Sequence, residues 1–281
     1  MNVLYCGDRN IEDGLIISIL SLLKNIDEEL KIYVLTINYK DEKRCIESVT
    51  DKVIDFMNNK VQEINENSFV KKIEITKLFK KEIPIENMDT RFTPCCMLRL
   101  FADELPELPD KILYLDNDVV CRKSCLDFYN QNMEEYEISG VLDYYGKWFF
   151  KKNIFKFDYL NSGVLLLNLK KIKETKLFQK SRQMCINKKM FMPDQSALNK
   201  LSIAKKINPR IYNEQRKLHK DTVLQHFTTS FRLYPILHTV TIKPWHIDKL
   251  HNKLKIFEYD NILAEYQNIK QSINEKTEEL I

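Results

Sequence analysis

The sequence predicts an α/β fold built on a mostly parallel sheet covered by helices. Three observations carry that expectation. Short apolar runs alternate with stretches of helical periodicity through the first half. Acidic residues stand directly after two of those runs, where open α/β sheets gather ligands. The chain has 281 residues, 44% of them hydrophobic, enough for one large core.

The elements follow in order. Val3-Leu4-Tyr5-Cys6 reads as a buried strand stopping at Gly7-Asp8. Ile11, Leu15, Ile19, Leu22 and Leu23 recur with the spacing of one helix face. Residues 32–37 predict a second strand, 41–58 a polar helix, 72–75 a weak strand, and 93–105 a helix ending before Pro106 and Pro109. Residues 111–115 form the clearest strand, with Asp116-Asn117-Asp118 at its C-terminal end. Strands are expected over 137–142, 163–168 and 222–227, and helices over 169–187 and 194–206, with Asp194 as an N-cap. Beyond residue 250, Tyr259, Ile262, Leu263, Tyr266 and Ile269 define one face of an amphipathic helix.

Composition narrows the function classes. Lysine and arginine number 44 against 40 acids, a net charge of +4. That suits an anionic small substrate and makes no case for nucleic acid. Seven cysteines cannot all pair within the chain, and they lack the Cys-x-x-Cys pairs of a zinc site, so all are expected as reduced thiols in the cytoplasm. No basic segment followed by an apolar stretch opens the chain, and the apolar run from Leu15 to Leu23 is too short to span a bilayer. Lys249, Lys253 and Lys255 followed by an apolar face offer a weak peripheral membrane contact; packing of that helix on the core is the ordinary alternative.

Asp116 and Asp118 are the candidate metal ligands. On an extended backbone, residues two apart point the same way, so both carboxylates can converge. Mg²⁺ and Mn²⁺ favour oxygen donors, commonly one or two carboxylates with phosphate oxygens completing the shell. The same tripeptide is also good turn chemistry. His226 ends another apolar strand, and Lys243-Pro244-Trp245-His246 follows. A neutral imidazole can add a nitrogen ligand, and a lysine can neutralise phosphate. Asn161-Ser162-Gly163 feeds the apolar strand that ends at Asn168, and Asp194-Gln195 opens a helix. Both pairs of polar groups suit hydroxyl recognition, and both also read as a turn and a cap.

Taken in order, these blocks resemble glycosyltransferase family 8, and within it the bacterial lipooligosaccharide α-galactosyltransferase branch. The matching blocks are Tyr5-Cys6-Gly7-Asp8-Arg9-Asn10, Arg99-Leu100-Phe101, Leu113 to Asp118, Asn161 to Asn168, Asp194-Gln195, Gln225-His226-Phe227 and Lys243 to His246. They cover about residues 1–250, which the resemblance assigns to a GT-A catalytic domain, leaving 251–281 as a C-terminal helical segment. It implies a retaining hexosyltransferase using UDP-galactose or UDP-glucose and a saccharide or glycolipid acceptor. Asp116, Asp118 and His226 would ligate Mn²⁺, with Mg²⁺ as the alternative; Asp8 and Asn10 would contact uridine, and Lys243 a phosphate oxygen. Arg99, Asp143, Asn161, Asp194 and Gln195 would surround the transferred sugar, with Gln195 nearest the reacting carbon.

The chain departs from the family's pattern in two places. Sixteen residues, Phe227 to Ile242, separate His226 from Lys243 and contain no glycine, where the family has a short glycine-containing turn. His238 is therefore a rival ligand, with His226 preferred for its strand context, and the insert reads as an acceptor-side lid or a longer surface loop. Pro94-Cys95-Cys96 replaces hydroxyl or aromatic residues beside the sugar pocket. Competing readings are a family member that glycosylates a protein or itself, a nucleotidyltransferase, which lacks its glycine-rich loop here, and a non-catalytic carbohydrate-binding module.

Overall fold

The computed structural model describes residues 1–90, 93–146, 158–232 and 238–278. At its centre is a seven-stranded sheet. In chain order its strands are β1 (Asn2–Cys6), β2 (Lys31–Thr36), β3 (Phe69–Glu74), β4 (Lys111–Leu115), β6 (Ile138–Leu142), β7 (Leu160–Asn168) and β8 (Lys205–Asn208), with β5 (Val119–Cys121) lying outside it. Across the sheet the order is β8-β6-β7-β4-β1-β2-β3. β4-β1-β2-β3 pair in parallel, as do β6 and β8, while β7 runs against both β4 and β6. This is the mostly parallel sheet expected from the sequence.

The strands are apolar almost throughout because both faces are covered. Alternation sends Val3, Tyr5, Leu113, Leu115, Val164 and Leu166 into one core. Leu4, Ile112, Tyr114, Leu165 and Leu167 go into the other. The first core is capped by α1 (Glu12–Asn25), α2 (Asp51–Ile64) and a C-terminal helix, Asp260–Glu278. The second is capped by the 3-10 run Pro94–Glu104 and by α3 (Leu169–Thr175), α4 (Leu177–Asn187) and α5 (Pro193–Leu201).

Several boundaries differ from expectation for identifiable reasons. The helix expected over 41–58 starts at Asp51, because Thr50 caps it by accepting from the Val53 amide. Asp41 instead closes a turn by accepting from the Lys43 and Arg44 amides at 2.8 and 2.7 Å. The helix expected over 169–187 breaks at Lys176, which adopts a left-handed φ of 59°. The helix expected over 194–206 begins at Pro193, so Asp194 lies in its first turn and is not its N-cap. That helix ends at Leu201, and Lys205–Asn208 pairs with β6 as a sheet edge.

The insert after His226 forms an antiparallel hairpin of Ser230–Arg232 with His238–Val240; residues 233–237 of the expected lid lie outside the described residues. In the C-terminal helix segment, Tyr259, Ile262, Leu263, Tyr266 and Ile269 are buried in the core beside α1. The face considered for membrane contact is thus covered by protein. Among the described residues no helix is long and apolar enough to cross a membrane.

Candidate metal centre

The site forms where strand directions change. Asp8 follows β1, Asp116 follows β4 and Asp143 follows β6, while the antiparallel β7 starts at the same edge with Asn161-Ser162-Gly163. The Asp116 amide donates to the Gly163 carbonyl at 2.8 Å, joining the two strands there. Asp116-Asn117-Asp118 is a turn closed by Val119 N donating to Asp116 O at 3.1 Å, not an extended segment. The turn leads into β5, which pairs antiparallel with β9 (Leu224–His226), setting Val119 opposite His226. The Phe227 amide donates to the Asp118 carbonyl at 3.0 Å and completes the frame. Turn chemistry and ligand convergence are therefore both realised by one tripeptide.

The side chains of Asp116, Asp118 and His226 meet, each offering one ligand atom, with those atoms within 4.8 Å of one another. His226 Nε2 lies 3.2 Å from Asp118 Oδ1 and 3.5 Å from Asp116 Oδ2. The other polar atom of each residue is already held. Asp116 Oδ1 accepts from Tyr114 Oη at 2.6 Å and Arg99 Nη2 at 3.1 Å. Asp118 Oδ2 accepts from Lys243 Nζ, which also donates to the Phe227 carbonyl at 2.9 Å. His226 Nδ1 is 3.1 Å from Asn213 Oδ1.

The amide nitrogen of Asn213 donates to Asn161 Oδ1 at 2.9 Å, so its oxygen is the atom facing the imidazole. Nδ1 therefore carries a proton in either form of the ring, and Nε2 is the nitrogen that could serve a metal beside the carboxylates. Two carboxylate oxygens and one imidazole nitrogen form a donor set that suits a divalent cation of borderline hardness. The anchoring partners hold these three candidate ligands in place.

Burial favours the neutral form of Asp118, but the Lys243 ammonium and His226 outweigh it and hold this carboxyl well below the usual carboxylate range. This carboxylate is therefore ionised at neutral pH.

A second network adjoins the first. Arg99 is 2% exposed, lies 3.6 Å from the Tyr114 ring centroid, and pairs with Asp116 at 3.1 Å and Asp194 at 3.3 Å. Burial works against its charge, and Tyr114, Asp194 and Asp116 more than restore it. Gln195 Oε1 accepts from Ser162 N at 2.9 Å, and its amide nitrogen donates to Asp143 Oδ2 at 3.2 Å. Asn161 Nδ2 donates to the same Asp143 oxygen at 2.9 Å. The five residues expected around a sugar therefore share one buried hydrogen-bonded patch, linked to the metal cluster through Arg99 and through Asn161–Asn213.

Asp8 and Asn10 stand outside this network at the end of β1. Asp8 is buried, caps Asn10 N at 3.0 Å and neighbours Cys95; Asn10 is exposed. Burial pushes the Cys95 thiol up to about 12, so a neutral thiol stands beside Asp8. The side chain of His238 lies outside what the structure describes.

Sequence reasoning missed Asn213, which lies thirteen residues before His226 in a segment without periodicity or motif. It also missed Tyr114, for which a signal existed: two residues before Asp116 on an extended strand puts both side chains on one side.

The family model described as "Glycosyl transferase family 8" matches residues 2–249. The lipopolysaccharide 1,2-glucosyltransferase of Escherichia coli K12 is 25% identical over 275 residues, covering 92% of this chain and 76% of that protein. The glycosyltransferase GlyA of Streptococcus pneumoniae serotype 4 is 32% identical over 152 residues, 52% of this chain. The chain spans 20% of GlyA's length and 58% of that of a Haemophilus influenzae relative. Among solved structures, the galactosyltransferase LgtC with donor and acceptor sugar analogues superposes with a TM-score of 0.63 at 16% identity, covering 95% of this chain and 96% of LgtC. An active-site mutant of LgtC gives 0.65, also at 16% identity. At such identity the likeness speaks for the fold, which is GT-A.

Proposed function

The chain belongs to glycosyl transferase family 8, and from that premise we propose that it transfers galactose or glucose from a UDP-sugar to a saccharide hydroxyl. In this reading Asp116, Asp118 and His226 hold Mn²⁺, with residues 1–250 carrying the chemistry and the helix Asp260–Glu278 of the C-terminal segment bracing α1. The observation that carries it is the convergence of those three side chains, each with its remaining polar atom anchored. The names of the E. coli and LgtC relatives, a glucosyltransferase and a galactosyltransferase, support a hexose donor.

Bound there, the ion would neutralise the diphosphate as the sugar departs. Lys243 adds a second positive charge beside Asp118, Arg99 keeps Asp116 and Asp194 aligned, and Asp8 with Asn10 offers polar contacts for the uridine. Retention through a covalent sugar would require a free carboxylate nucleophile. Asp194 is ion-paired with Arg99 at 3.3 Å, and Gln195 is an amide bonded to Ser162 and Asp143. Transfer on one face, with the departing phosphate taking the acceptor proton, fits these constraints better. Mass spectrometry of enzyme quenched during turnover should find no sugar on either residue; an adduct on Asp194 overturns the single-face route.

Calorimetry with UDP, with and without Mn²⁺, tests the function itself. UDP should bind tightly only with the metal, and among UDP-sugars one hexose donor should be hydrolysed fastest. Metal-independent UDP affinity, or none, would remove the reading.

Asn213→Ala frees the His226 ring, and Mn²⁺ affinity should fall about 10–100-fold, the usual loss when the partner orienting a ligand histidine is removed. Electron paramagnetic resonance of free Mn²⁺ measures this without turnover. An unchanged dissociation constant would show that Asn213 merely fills space.

A further inference from the structure

Beside the metal centre lies a cavity of about 680 Å³ to which no ligand has yet been assigned. That volume is within the range of small-molecule sites. His226 contributes to its wall, so it opens alongside the cluster. Much of its polar lining comes from the 208–219 segment, which no motif singled out.

Within that segment Glu214 is 6% exposed, and its Oε2 has no hydrogen-bond partner among the described residues. Arg210 Nε and His219 Nε2 each stand 3.7 Å from this oxygen, near enough for attraction and too far for a hydrogen bond. Glu214 is firmly placed, because its amide donates to the Leu224 carbonyl at 2.9 Å and its carbonyl accepts from the His226 amide at 3.0 Å. A buried carboxylate oxygen with unmet capacity calls for a donor, and a hydroxyl in the cavity would supply one once the exposed Arg210 side chain, 3.7 Å away, turned aside to uncover it.

The charge around it has the opposite sign. Glu214 is the single acid among the described lining residues, against Arg210, Arg216 and Lys217. These three are exposed at the rim. Arg216 Nη1 donates to Tyr144 Oη at 2.6 Å, and its guanidinium lies 4.5 Å from that ring's centroid, which orients the planar fork.

The geometry points to an anionic saccharide as the acceptor class: a sugar presenting a hydroxyl to Glu214 and a phosphate or carboxylate to the Arg210–Arg216–Lys217 rim. This inference rests on the transferase reading of the adjacent centre. It goes further by naming the chemistry of what receives the sugar.

The test is calorimetric titration of the whole protein, saturated with UDP and Mn²⁺. Its probes are a neutral methyl galactoside, a methyl galacturonoside, galactose 6-phosphate and inorganic phosphate. At least one charged sugar should bind about tenfold more tightly than the neutral one, as expected for one added charge-assisted contact. Higher ionic strength should erode that preference. Whether the carboxylate or the phosphate sugar binds better identifies the anion. Arg216→Ala should abolish the preference and leave UDP affinity unchanged, and Glu214→Gln should weaken the sugars without affecting inorganic phosphate.

Equal binding of charged and neutral sugars overturns the inference. So does inorganic phosphate binding as tightly as the phosphosugar, or a preference that survives Arg216→Ala. If UDP with Mn²⁺ binds while the preference is missing, only the acceptor inference falls. If charged sugars bind and UDP does not, the transferase reading falls and the cavity remains a site for anionic saccharides.

Discussion

Asp118→Asn is expected to abolish Mn²⁺-linked UDP binding and to lower hexose transfer by about a thousandfold or more, the scale of several kcal/mol of lost charge stabilisation. The substitution keeps the shape of the side chain and removes its charge. Asp118 is the better choice than Asp116, because Asp116 also receives Arg99 and Tyr114, and altering it would disturb the sugar-side patch as well. Asp118 binds Lys243 and faces His226, so its loss falls on the cluster.

The same substitution has a pH signature in the metal-free protein. Burial opposes ionisation of Asp118, but Lys243 and His226 depress its carboxyl below the ordinary range. A depressed folded-state value stabilises the fold above the unfolded value and loses that contribution as pH falls towards the folded one. Wild type should therefore melt above Asp118→Asn at neutral pH, and the two should converge as pH drops below about 4, the ordinary aspartate value. Melting curves across that range decide it. A gap independent of pH would mean that the Lys243 pair does not form in solution, and retained Mn²⁺-linked UDP binding would remove Asp118 from the ligand set.

The parts of this molecule that could be read from its sequence are those in which local pattern and tertiary role coincide. Continuous apolar runs at β1, β4 and β7 identify strands because both faces of the sheet are covered. Asp116 and Asp118 stood out because a hydrophobic strand ended directly before them. Where tertiary contacts decide, pattern failed. Lys205–Asn208 follows a helix without a break in polarity, and only pairing with β6 makes it a strand. Asp194 has the composition of a cap, but Pro193 already occupies the first helical position and Arg99 claims the carboxylate. Asn213 acts through a partner thirteen residues away, and nothing in its neighbours announces that. Asn161 and Gln195 each suggest hydroxyl recognition on their own, but their grouping with Asp143 is legible only through the family resemblance, since the three come from separate elements.

Gly163→Ala tests how tightly β7 supports the cluster. A Cβ built there would lie 2.1 Å from His226 Cε1, 2.8 Å from His226 Nδ1 and 2.7 Å from Asp116 Oδ2. No described glycine has positive φ, so the objection to a side chain here is contact and not backbone strain. Neither neighbour is free to yield. The imidazole is buried and bonded to Asn213, and Asp116 is gripped by Tyr114 and Arg99. The backbone is equally confined, with the Gly163 carbonyl accepting from Asp116 N at 2.8 Å and its amide donating to Asn161 Oδ1 at 3.0 Å. Relief must come from turning the ring, which breaks the Asn213 bond and swings Nε2 away from the carboxylates. Mn²⁺ affinity should fall about a hundredfold, the upper end of losses for disturbed ligand orientation, and transfer should fall with it. Overpacking should cost about 1–3 kcal/mol of stability.

Gly140→Ala supplies the control. A Cβ there meets the end of the Leu165 side chain at 2.8 Å, away from the ligands. It should shift the melting temperature without changing metal affinity. If Gly163→Ala binds Mn²⁺ as wild type does, the His226 ring is not held where the structure places it, and the anchored three-ligand centre is wrong.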